Sequence, residues 1–199
     1  VNCTYTILMN ILNKTGINDK TINIIKVDLL GEYNKLFQQG KHDMILNILY
    51  YQGKLDKIRL IKRDELSFES WVLSEDYYLT NLDIWILSKL YNLGIILISS
   101  TKFATSNKKN LLPLNYSDNG EYYFIKAPGK RKDEIPKYRL LVDSNNNSKF
   151  IFTELKDKLQ TLIKSTKTLT GKGYTLEKYL REFKPVVYVQ KKQMVGKLK

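Results

Sequence analysis

The chain has 199 residues, a net charge of +13 and 43% hydrophobic residues, 12% of the total being aromatic. That composition argues against global disorder, and no apolar run approaches the roughly 18–20 residues of a membrane-spanning helix. One cysteine and one histidine exclude an intramolecular disulfide and a zinc site of clustered Cys and His, and they fit a reducing, intracellular setting.

In chain order, Asn2-Cys3-Thr4 opens a helix to about Lys14, with Tyr5, Leu8, Met9 and Leu12 on one face and Thr15-Gly16 closing it. Thr21 to Gln39 reads as a second helix capped by Thr21, although Ile22-Asn23-Ile24 could also be extended. His42 to Tyr51 is a third, facing inward with Met44, Ile45, Ile48 and Leu49. Leu55 to Glu65 fits either a charged helix or an extended piece, and Phe68, Trp71 and Val72 form an apolar cluster.

Thr80 and Asp83 have capping-box spacing, with Asp in place of the usual Glu. Leu82, Trp85, Ile86, Leu90 and Leu93 follow at helical spacing. Asn92 and Gly94 end that helix, and Ile95 to Ile98 read as a strand buried on both faces.

Thr101 to Asn110 reads as a surface loop and Leu111 to Leu114 as a short strand. Ser117-Asp118-Asn119-Gly120 predicts a type I′ turn joining that strand in a hairpin to Glu121–Lys126. Pro128 to Pro136 is a loop with Lys130, Arg131 and Lys132 at its tip, followed by a strand over 138–143 and a turn over 143–148. Thr153 caps a helix to about Thr166, a hinge covers 168–173, and Thr175 caps another helix that ends before Pro185. Val186 to Val189 is strand-like. From Glu154 to Lys199 twelve basic residues face four acidic ones, so the C-terminal part reads as a basic helical appendage.

No glycine-rich phosphate loop is present in GxxxxGK or GxGxxG spacing, and no cofactor is expected. A serine nucleophile would need His42 as its base. Cys3 stands where the free N–H groups of a helix start favour a thiolate and could help hold an oxyanion.

Asn2-Cys3-Thr4-Tyr5-Thr6-Ile7-Leu8, with Leu12 beyond, resembles the opening of the ovarian-tumour (OTU) family of cysteine proteases. In that family a D-G-x-C motif leads into a helix with an aromatic residue two positions after the cysteine. Trp71 to Ser100 is similar to the family's middle motif, a helix followed by a buried I-x-V strand. Lys137-Tyr138-Arg139-Leu140-Leu141 matches the strand that carries the family's catalytic histidine as H-Y-x-x-L.

Over roughly residues 1–143 the resemblance implies an α+β, papain-type core, with a small mixed sheet flanked by helices. The domain reading is an OTU-like domain over 1–152 and a basic extension over 153–199. Two departures stand out: Lys137 replaces the histidine, and Val1 replaces the glycine. Lysine, with a reference pKa of about 10.4, is a poor proton shuttle near neutrality. The implied site is therefore vestigial, with Cys3 as former nucleophile and Lys137 at the histidine position.

The leading expectation is a catalytically inactive module that binds other protein chains within a larger polypeptide or assembly. Start at Val1 reads as a fragment or processed product. The Lys, Asn, Ile and Tyr usage suits a large DNA virus, with the protein in the particle or the host cytoplasm. A second reading is an active deubiquitinase in which Cys3 is served by His42, or by a base that Asn145 orients. A third is a nucleic-acid binder using Lys130, Arg131, Lys132, Lys191, Lys192, Lys197 and Lys199, with Tyr174, Tyr179 and Tyr188 available for stacking.

Overall fold

A computed structural model of the chain describes residues 2–99, 111–128 and 135–170, without the side chains of 165–170. Among these residues the helices are α1 (Cys3–Lys14), α2 (Ile22–Gln38), α3 (His42–Tyr51), α4 (Leu55–Lys62), α5 (Phe68–Leu73), α6 (Asn81–Leu90) and α7 (Asp157–Thr170). The strands of a small mixed sheet are β1 (Gly94–Ile98), β2 (Leu111–Pro113), β3 (Glu121–Lys126), β4 (Arg139–Leu140) and β5 (Phe150–Ile151). The architecture is α+β. The chain divides into two compact units, Val1–Tyr91 with Lys130–Leu140, and Asn92–Gly129 with Leu141–Lys199. Most of the appendage expected from 153 onward lies outside the described residues.

The first unit is built around α2, which packs against α1, α3, α5 and α6. Its Ile25, Leu29, Leu30 and Tyr33 are buried, and each such side chain taken from water contributes about 1.5–3 kcal/mol. The helix begins at Ile22, because Thr21 accepts a hydrogen bond from the Ile24 N–H; the extended alternative for 22–24 is not adopted. It ends where Gly40, at φ +77°, takes the left-handed conformation that lets the Lys41 N–H reach the Leu36 carbonyl at 3.0 Å.

One open alternative is settled in this unit, one cluster is given a form, and one expected burial is corrected. Residues 55–62 are helical, so the extended reading of that stretch is not adopted. The Phe68, Trp71 and Val72 cluster is itself a helix, capped by Ser67, which accepts from the Ser70 N–H at 3.1 Å. Residues 82–88 of α6 are all buried, whereas Leu90 is exposed: neighbours close around the helix and leave its last turn open.

In the second unit β1 is central. It pairs antiparallel with β2 (Leu97 opposite Leu112) and parallel with β3 (Ile96 opposite Phe124). The hairpin expected across 117–120 does not form, since β1 lies between the two strands it would join. Gly120 alone in that turn has positive φ, where type I′ needs two such residues. β3 also pairs antiparallel with β5, a strand too short to announce itself in the sequence.

The strand expected over 138–143 contracts to Arg139–Leu140. The helix expected from Thr153 begins at Asp157, after a 3-10 turn over Phe152–Glu154, and it continues through the first part of the expected hinge to Thr170. Ile96, Tyr122, Phe124 and Ile163 form the core of this unit, with Leu111, Phe150 and Leu159 packed on it.

Candidate functional site

Cys3 is the first residue of α1 and carries an exposed, free thiol. Asn2 before it makes no side-chain cap; its carbonyl accepts the Thr6 N–H at 3.0 Å. Lys137 is exposed in the segment leading into β4, and α1 packs against that strand. The next residue, Tyr138, is buried and donates to Asn81 Oδ1 at 2.5 Å. Cys3 and Lys137 thus belong to the same unit.

His42 occupies a different place. Its ring lies 4.7 Å from that of Phe37, edge-on, and its Nδ1 is 3.5 Å from Asp43 Oδ1. Phe37 stands at the C-terminal end of α2. Near the other end, the Lys26 Nζ lies 5.5 Å from the ring centre of Tyr5 on α1. Lys26 and Phe37 are separated by about 16 Å of helix at 1.5 Å per residue.

Asn145 sits in a turn, where its N–H donates to Asp143 Oδ1 at 2.8 Å. Lys130, Arg131, Lys132, Lys191 and Lys192 lie outside the described residues, as do Lys197, Lys199 and the three tail tyrosines. Among the described residues no group of His, Cys, Asp or Glu is arranged to hold a metal ion, and no helix is long and apolar enough to cross a membrane.

The most concentrated buried chemistry in the first unit surrounds Asp83. Its carboxylate is fully buried, and Lys54 beside it is 1% exposed. One carboxylate oxygen accepts from the hydroxyls of Tyr33 at 2.5 Å and Tyr77 at 2.7 Å. The other accepts from Lys54 Nζ at 2.8 Å, the Thr80 N–H at 2.8 Å and the Thr80 hydroxyl at 3.1 Å. The ammonium of Lys54 also stands 3.8 Å from the centre of the Tyr77 ring, with Trp71 and Tyr78 each at 5.3 Å.

Burial lowers the Lys54 ammonium to about 8, against the opposing pull of the Asp83 charge. Tyr33 and Tyr77 are pushed well above their ordinary value, first by burial and then by the same carboxylate. With five donors on Asp83 and aromatic rings around Lys54, neither group is open to a substrate. The cluster is structural: it ties α2, the Lys54 segment and the start of α6 together.

The capping-box spacing identified Asp83, and Thr80 and Asp83 do close that box. Nothing local marks Lys54, whose partner lies 29 residues away.

An open cleft of about 780 Å³ lies beside the N-terminal half of α1. Asn2 and Met9 contribute from α1, Lys20 to Asn23 and Lys26 from the start of α2, and Glu75 from beyond α5. Cys3 is not among its lining residues.

Compared with known proteins, the chain matches no family model, no curated sequence and no solved structure. Its site has to be read from its own chemistry.

Proposed function

We propose that this chain is a catalytically silent module on an OTU-like fold, working by binding other protein chains within a larger polypeptide or assembly. The observation that carries the reading is the state of the residues around a would-be cysteine nucleophile. By the resemblance Lys137 holds the position where that family has its histidine, and it is solvent-exposed. The chain's one histidine packs on Phe37, at the opposite end of α2 from the end beside α1. Cys3 therefore has a helix start, while the chain's one histidine stands at the far end of α2, and thiolate chemistry needs a proton acceptor.

A ubiquitin suicide probe carrying a C-terminal electrophile tests this. Incubated with the full chain, it is expected to leave Cys3 unmodified over the time in which an active enzyme of this kind reacts fully. An adduct that forms on the native chain and is lost in Cys3→Ser would overturn the proposal and establish an active protease.

A further inference from the structure

The cleft beside α1 has an unusual electrostatic floor. Lys26 is its most deeply placed lining residue, only 3% exposed, while Asn2, Thr21, Asn23 and Glu75 are open to solvent. Lys20, the other lining lysine, is neutralised by Asp28 at 2.8 Å. Among the described residues no carboxylate forms an ion pair with Lys26. Its Nζ donates to the backbone carbonyl of Ser74 at 2.5 Å and lies 5.5 Å from the centre of the Tyr5 ring. An ammonium has three protons to donate, and a buried charge costs free energy unless it is paired. Burial holds this ammonium below its ordinary range, against the opposing influence of Glu75 and Asp76.

We propose that this cleft binds an acidic peptide segment, with one ligand carboxylate pairing with Lys26. The volume, about 780 Å³, is far larger than one carboxylate and suits several residues of extended chain. Asn2 and Asn23 offer amide groups to a peptide backbone, and Met9 and Ile22 offer apolar contact to its side chains. Glu75 at the rim disfavours two negative charges on one group beside Lys26, which favours a single carboxylate there over a phosphate. The inference goes beyond the reading of the module as catalytically silent and does not depend on it, since Cys3 takes no part.

Fluorescence anisotropy of the full chain with labelled hexaglutamate provides the test. Hexaglutamine, succinate and inorganic phosphate serve as comparison probes. Hexaglutamate is expected to bind with perturbation of the amide resonances of Asn2 and Asn23, hexaglutamine not to bind, and phosphate to compete poorly. Succinate competing as well as hexaglutamate would instead assign the site to a small dicarboxylate and overturn the peptide assignment.

Lys26→Met keeps the buried stem and removes the charge; it should weaken hexaglutamate binding roughly tenfold or more, the usual worth of a charge-assisted hydrogen bond. Unchanged binding in that variant would show that the chain's general positive charge is responsible and end the proposal. Glu75→Gln, on the exposed rim, removes a repelling charge without disturbing the core and is expected to tighten binding. Should Lys26→Met fail to fold, unaltered or weaker binding by Glu75→Gln overturns the proposal on its own.

Discussion

Asp83 works at two levels of the structure at once. As third residue of α6 it closes the capping box with Thr80, and as a fully buried anion it gathers Lys54, Tyr33 and Tyr77. Removing one member of such a pair leaves an unpaired buried charge, which is far more costly than losing the pair together. Asp83→Ala is therefore expected to destabilise the fold by about 3–5 kcal/mol. The double variant Lys54→Met/Asp83→Ala should cost less than the sum of its singles by about 1 kcal/mol or more. Urea unfolding of the four proteins measures both quantities, and strict additivity would show that the two groups are not coupled. The sequence disclosed half of this arrangement. Thr80 and Asp83 are three residues apart and follow a local rule, whereas Lys54 is surrounded by Trp71, Tyr77, Tyr78 and Asp83, which reach it from a later part of the chain.

Among the elements, β1 and β3 show why helices were read more securely than strands. Helices such as α2 and α6 carry local evidence in periodicity and caps, at Thr21 and Thr80, whereas α4 has no side-chain cap and no clean period. A parallel pairing has no local signature, so the Asn-Gly turn suggested a hairpin that β1 in fact separates. Gly94 records the pairing instead. A Cβ at this position would lie 2.4 Å from the Glu121 carbonyl oxygen and 2.7 Å from the Ser117 Cβ, nearer than such atoms approach. Gly94→Ala is thus expected to cost about 1–3 kcal/mol or more through forced movement of β3. The loss should appear first as faster hydrogen exchange in the amides of 122–126, and undiminished protection there would contradict the close approach. Of the candidate site, the position of Cys3 at a helix start was legible. The buried state of Lys26 was not, because it depends on Tyr5 and Ser74 arriving from other parts of the chain.

For the molecule as a whole, burial of tyrosine hydroxyls gives stability a marked alkaline limit. Tyr33, Tyr77 and Tyr138 have folded-state values raised well above 10.0, burial being the largest cause. The folded protein keeps protons that the unfolded chain releases above pH 10, so this contribution is complete below that pH and is lost as pH rises beyond it. Lys54 acts in the opposite sense. It falls from 10.5 to about 8 on folding, so between those values it makes stability increase with pH. Denaturant midpoints should hold or rise slightly from pH 8 to 10 and fall above it. In Tyr33→Phe the fall should be shallower, and an identical slope would remove that hydroxyl from the account.

The position of α2 has a consequence for how the two units come to be. Its partners α1, α3, α5 and α6 are spread over residues 3–90, so its packing closes long stretches of chain: Lys26 meets Ser74 across 48 residues and Tyr33 meets Asp83 across 50. In the second unit the parallel register joins Gly94 to Tyr122, a shorter closure. By loop closure, then, the register of β1 with β3 is the nearer contact and the helical core the more distant one. Until β2 and β3 have both joined it, β1 presents aliphatic edges that can pair with a wrong strand.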